Sequence, residues 1–134
     1  SRISSDGTWL AVPPGNNPPT VRLYRVADLT SPSAPANVGG AGTFNLPSDA
    51  QVSRGSLFVS STPNNVVHVW RDAAKAVAGT PAEIVLGALA ATPIPPPTIG
   101  TSTFFWPGSM AWDGSYLWVG EFKFSNRLLR FSAR

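Results

Sequence analysis

One spacing recurs three times in this chain of 134 residues, and it restricts the possible folds more than any other feature. Asp6-Gly7-Thr8-Trp9-Leu10-Ala11-Val12 is followed, past a Pro/Asn/Gly loop, by Val21-Arg22-Leu23-Tyr24. Arg54-Gly55-Ser56-Leu57-Phe58-Val59 is followed by a polar loop and Val66-Val67-His68-Val69-Trp70. Asp113-Gly114-Ser115-Tyr116-Leu117-Trp118-Val119 is followed by another polar loop and Arg127-Leu128-Leu129-Arg130-Phe131. The valine-to-aromatic separations are 12, 11 and 12 residues. Upstream, Pro47 and Pro107 each stand 12 residues before their valines, Val59 and Val119. In the first copy that proline would fall just before Ser1, so the chain begins inside a repeat.

Each repeat predicts a run of short antiparallel strands. An inner strand follows the proline (Asp49–Val52, Ser109–Trp112). A tight Asp-Gly or Arg-Gly turn comes next, and this dipeptide between apolar runs is a hairpin signal. The second strand ends at the valine and the third at the aromatic. A shorter fourth strand is expected at Ala36–Gly39 and at Glu83–Gly87. The strands are apolar on both faces, as in a small sheet sandwiched between neighbours. The valines lie 47 and 60 residues apart, which suits one four-stranded propeller blade per repeat. The fold expected is therefore all-β, about three four-stranded β-propeller blades near 1–43, 44–103 and 104–134, half of a six-bladed ring. The 12 glycines and 14 prolines fit many strands joined by turns. Residues 88–103, with Pro93-Ile94-Pro95-Pro96-Pro97, read as an irregular excursion with polyproline stretches. The alanines between Asp72 and Ala78 hint at a helical turn, but Gly79-Thr80-Pro81 follows closely, and the segment reads as loop.

The stretches FNLPSDAQVSRGSLFVSSTPNNVVHVW and FFWPGSMAWDGSYLWVGEFKFSNRLLRF resemble the NHL repeat of β-propeller proteins, and NNVVHVWRDAAKAVAGTPAEIVLG resembles a longer-period variant common in large bacterial propellers. The NHL pattern runs from a proline through a small apolar strand, an Asp-Gly turn, a strand ending in an acidic residue, and an Asn-Asn-Arg loop to a strand closed by Phe or Trp. The acidic residue survives only as Glu121, and the Asn-Arg pair is intact only at Asn126-Arg127. The resemblance implies that these residues fix turns.

Chemistry-bearing residues are sparse. With no cysteine, disulfides and thiol chemistry are excluded, and one histidine cannot build a histidine-rich zinc site. His68 alternates within an apolar strand and is expected in a contact between blades. Of seven carboxylates, Asp6 and Asp113 belong to turns. Asp49 lies on an inner strand, the place for a polar group near a propeller axis. Glu121 ends the second strand beside Lys123. Trp106, among Phe104, Phe105 and Pro107 at a loop-to-strand junction, suits an aromatic platform for a glycan or a peptide. Asp49, Trp106, Glu121 and Arg127 are thus the candidate ligand-binding residues. No catalytic set, metal set or cofactor motif stands out; neither GxxxxGK[ST] nor GxGxxG occurs, and Gly39-Gly40-Ala41-Gly42 reads as a link.

The net charge of +3 comes from scattered residues, mostly arginine, without the clustered basic face of a nucleic-acid binder. No apolar run is long enough for a membrane span. Low charge with abundant Pro, Gly, Ser and Thr points to a protein acting outside the cytoplasm. The expected function is a non-catalytic binding or scaffold module, closed into a full propeller by a second copy or by a remaining propeller segment. The alternative is a propeller enzyme, a lyase or lactone hydrolase, with an axial metal.

Overall fold

The structure, a computed structural model, describes residues 2–15, 17–31, 34–39, 43–88, 95–123 and 125–132. They form three antiparallel sheets in which each strand pairs with the next in sequence. The first contains β1 (Ser4–Ser5), β2 (Trp9–Val12), β3 (Val21–Arg25) and β4 (Ala36–Val38). The second contains β5 (Pro47–Ser53), β6 (Ser56–Ser61), β7 (Val66–Trp70) and β8 (Ile84–Leu86). The third contains β9 (Pro107–Trp112), β10 (Tyr116–Glu121) and β11 (Leu128–Ser132). The protein is all-β, and its sheets are blade-like units. The first two have the fourth strand expected at 36–39 and 83–87, and the third has three strands among the described residues.

The turns form for local reasons. Asp6 Oδ1 accepts from the Thr8 and Trp9 N–H groups at 3.0 and 2.9 Å, and Asp113 Oδ1 does the same for Ser115 and Tyr116, both at 2.8 Å. In the second unit Arg54 and Gly55 both have positive φ (49° and 82°), the backbone of a tight primed hairpin turn. The segment read as loop folds instead into a short helix, α1 (Ala73–Val77). Asp72 caps it by accepting from the Ala74 N–H at 2.9 Å, and the buried faces of Ala73 and Ala76 hold it against the first unit. The cap and the alanines outweigh the early stop at Gly79. Of the expected link at 39–42 and excursion at 88–103, residues 40–42 and 89–94 lie outside the described set.

Two apolar layers separate the units. Trp9, Ala11, Val21, Leu23 and Val38 of the first meet Ala50, Val52, Leu57, Val59 and Trp70 of the second. Phe58, Val67 and Val69 on the opposite face of the second meet Met110, Leu117 and Val119 of the third. Among the described residues, only the middle unit is therefore sandwiched. Phe44 and Phe104, each three residues before a repeat proline, are both buried. Each covers the glycine that follows a fourth strand: a Cβ on Gly39 would stand 2.3 Å from Phe44, and one on Gly87 2.6 Å from Phe104. At Gly87 that Cβ would also come within 2.7 Å of the Asn65 carbonyl oxygen, and φ is +84°. Gly87→Ala is therefore expected to destabilise the protein by about 2 kcal/mol, read as a lower urea midpoint. A change below about 0.5 kcal/mol would contradict the packing described.

Candidate functional site

The inner strands place Arg2, Asp49 and Ser109 at one repeat position, ten residues before the repeat valine. Arg2 and Asp49 form a parallel bridge between the first and second units. The buried Asp49 Oδ2 accepts from the Met110 N–H at 2.7 Å and from Arg2 Nη2 at 3.0 Å. Arg2 Nη2 donates again, to the Met110 carbonyl at 3.0 Å. One carboxylate thus ties three successive inner strands together. Asp49 owes its position to a bulge, where its own N–H donates to Ser60 Oγ at 3.0 Å. Arg2 escaped the sequence reading, although its repeat position matches that of Asp49.

Glu121 and Arg127 meet one another. Glu121, its side chain buried at the end of β10, accepts from Arg127 Nη2 and Nε, both at 2.7 Å. It also accepts from the Phe105 N–H at 2.7 Å and from the Ser125 hydroxyl. Arg127 Nη1 donates to the Gly100 carbonyl at 2.8 Å. Burial pushes the Glu121 carboxyl up, but the hydrogen bonds from Arg127, Ser125 and Phe105 together outweigh it and hold the group below its ordinary range. The fork geometry of arginine suits this bidentate pairing. The pair clamps residues 100–105 onto β10 and β11, so its donors and acceptors are largely committed within the chain.

Trp106 begins beside this clamp. It has positive φ (55°), as does Leu46 (44°) at the same repeat position. Its N–H donates to Asn65 Oδ1 at 3.1 Å, and the buried Asn65 also donates from Nδ2 to the Pro95 carbonyl at 2.9 Å. Phe122 meets the indole edge-on at 6.0 Å, and Lys123 Nζ lies 4.8 Å from the centre of its ring. Leu46 precedes β5, Trp106 precedes β9, and Phe122 and Lys123 follow β10, so antiparallel pairing sets these loops at one end of the sheets. Three of the four candidates, Trp106, Glu121 and Arg127, thus gather in one corner of the third unit, while Asp49 belongs to the inner strands.

A further cavity, of about 470 Å³, opens between the first two units near β4, β7 and β8. His68 lines it, stacked on Trp70 at 6.0 Å and met edge-on by Phe44 at 5.1 Å. Its Nε2 is shut away from water without a hydrogen-bond partner, while the ring bonds the Thr43 backbone. Burial pushes its pKa down to about 4, against a smaller upward effect of the Thr43 bond. The imidazole is a neutral packing group at pH 7.

Among the described residues, no three His, Asp or Glu side chains stand close enough together to hold a metal ion. No helix is long and apolar enough to cross a membrane. No family model matches the chain, and no curated protein matches it.

Proposed function

We propose that the chain is a binding or scaffold module of NHL-like β-propeller type, acting outside the cytoplasm and closed into a six-bladed ring by a second copy of itself. One observation carries the closure. Val21, Val67 and Leu128 share a repeat position, and the first two are fully buried while Leu128 is 66% exposed. Ile3, Ala50 and Met110 share another, and there Ile3 is 69% exposed while the other two are buried. The first unit thus presents the half of an interface that the second and third bury, and the third presents the opposite half. Third unit to first unit, repeated by a twofold axis, would reproduce a contact made twice within the chain.

In this reading the interior serves packing, and recognition falls to the loop end carrying Leu46, Trp106, Phe122 and Lys123. Aromatic and apolar side chains there suit a glycan or a peptide.

Light scattering on the 134-residue chain tests the assembly. A mass of twice 14.1 kDa is expected, and Leu128→Glu should halve it while leaving the circular dichroism unchanged. A stable monomer of the unmodified chain would overturn closure by a second copy and favour further blades supplied by the same polypeptide. A glycan and peptide array tests the loop end, with Trp106→Ala expected to abolish any signal found there.

A further inference from the structure

The proline-rich excursion between the second and third units ends in a strap with an unusual division of its atoms. A proline ring fixes φ at about −65°, and a residue that precedes proline is driven to an extended ψ. Pro95 and Pro96 meet both conditions, so the sequence itself holds them in the polyproline helix. Pro95 is buried, whereas Pro96, Pro97, Thr98 and Ile99 are exposed. Ile99 is 64% exposed and stands one helical period after Pro96, since that helix has three residues per turn.

Both limbs of the strap are anchored through the main chain. The buried Asn65 donates from Nδ2 to the Pro95 carbonyl at 2.9 Å, and its Oδ1 accepts from the Trp106 N–H where the strap returns to β9. Arg127 Nη1 donates to the Gly100 carbonyl at 2.8 Å. Between these points the Thr98 N–H donates to the Phe104 carbonyl at 3.1 Å. The Thr98 hydroxyl donates to the Pro96 carbonyl at 2.9 Å, and the Thr103 hydroxyl to the Thr98 carbonyl at 3.0 Å. A Cβ on Gly100 would stand 2.5 Å from Thr103 Oγ1, so the bend after Ile99 is tightly closed. These bonds hold the backbone of the strap and leave the apolar side chains of Pro96, Pro97 and Ile99 in solvent. Turned inward, Ile99 would stabilise the protein by burial; turned outward, it is available to a partner.

We propose that residues 95–99 are displayed as a rigid polyproline ligand for a partner protein whose surface carries an aromatic-lined groove. Grooves of that kind seat proline rings between flat aromatic side chains, and they favour a segment that is already in the polyproline conformation. Anchoring at Pro95 and Gly100 orders the strap before the partner arrives, so docking loses little conformational entropy. The exposed run Pro96-Pro97-Thr98-Ile99 carries no charge, which leaves ring and aliphatic contact as its chemistry of recognition. The Pro95 and Pro96 carbonyls already accept hydrogen bonds within the chain, so the outward side chains carry selectivity. In this contact the chain is the ligand and the groove belongs to the partner.

The probes are isolated SH3, WW and EVH1 domains, each with a groove of this chemistry, titrated into the 134-residue chain by calorimetry. Saturable micromolar binding to at least one of them is expected. The double variant Pro96→Ala/Pro97→Ala should weaken it at least about tenfold, and Ile99→Ser should weaken it as well. The two prolines are exposed, so the double variant should keep the urea midpoint of the unmodified protein. A capped synthetic peptide of residues 95–100 should compete for the same domain, but bind at least about fivefold more weakly, because it must be ordered on docking. No binding of any of the three domains at millimolar concentration would overturn the proposal. So would binding that the double variant leaves unchanged, which would place the domain elsewhere on the chain. Failure of the free peptide to compete would overturn it too, with no altered protein involved. A peptide that binds as tightly as the folded chain would show that the anchors do not present the strap, and would also overturn it. None of these readouts depends on whether the chain is monomer or dimer, so they succeed or fail apart from the ring closure.

Discussion

Glu121→Ala is expected to cost about 3–5 kcal/mol of folding free energy, the range for breaking a buried ion pair from one side. The carboxylate neutralises a guanidinium whose side chain is 23% exposed, and it also accepts the Phe105 N–H and the Ser125 hydroxyl. Its removal leaves a largely buried cation with only neutral carbonyl partners, together with an unsatisfied backbone donor. Removing Arg127 alone strands the carboxylate instead. The double variant Glu121→Ala/Arg127→Ala should therefore be less destabilised than the two single effects added together. Arg127→Lys should fail to restore stability, because an ammonium cannot hold both carboxylate oxygens and the Gly100 carbonyl in one plane. Urea unfolding followed by tryptophan fluorescence reads the size of the effect. Limited proteolysis should find residues 98–103 more readily cut in Glu121→Ala, since the clamp pins that stretch. A loss under about 1 kcal/mol would show that the pair is replaceable by water.

The second large effect is a pH dependence centred on His68. Its folded pKa of about 4 lies below the ordinary value of 6.5. The unfolded chain therefore takes up a proton on acidification before the folded chain does. The stabilising contribution is fully present above pH 6.5, falls as pH falls between 6.5 and 4, and levels off below that. A depression of this size corresponds to roughly 3 kcal/mol over the whole range. None of the other described residues lining its cavity is charged, and among them no carboxylate offsets the burial. The carboxyls held low, Glu121 among them, add their own loss at more acid pH, below an ordinary value of 4.5. The interval from pH 6.5 to 5 thus isolates the histidine. His68→Phe keeps a ring between Trp70 and Phe44, and should flatten the urea midpoint across that interval. An unmodified protein equally stable at pH 6.5 and pH 5 would mean that the imidazole gains a proton without leaving its site.

The sequence by itself determined the strands, because hairpins are decided locally. The Asp-Gly turns at 6–7 and 113–114, the valine-to-aromatic spacing and the fourth strands at Ala36–Val38 and Ile84–Leu86 needed only neighbouring residues to form. The helix at Ala73–Val77 shows the limit of that locality: a breaker two residues beyond a short alanine run reads as loop until the first unit buries Ala73 and Ala76.

Tertiary structure decided where the polar groups went. Asp49 was legible as an inner-strand carboxylate, but its tie to Arg2 and Met110 spans 47 and 61 residues and exists only because three inner strands lie side by side. Glu121 and Arg127 were each legible as candidates for ligand contact. Only the folded loop shows them paired, because the carbonyl that completes the guanidinium's fork arrives from Gly100, 27 residues away. The exposure of Ile3 and Leu128 against their buried counterparts divides in the same way. The repeat marks which positions correspond, but burial depends on whether a neighbour stands opposite, and no residue carries its neighbour's location in its own identity.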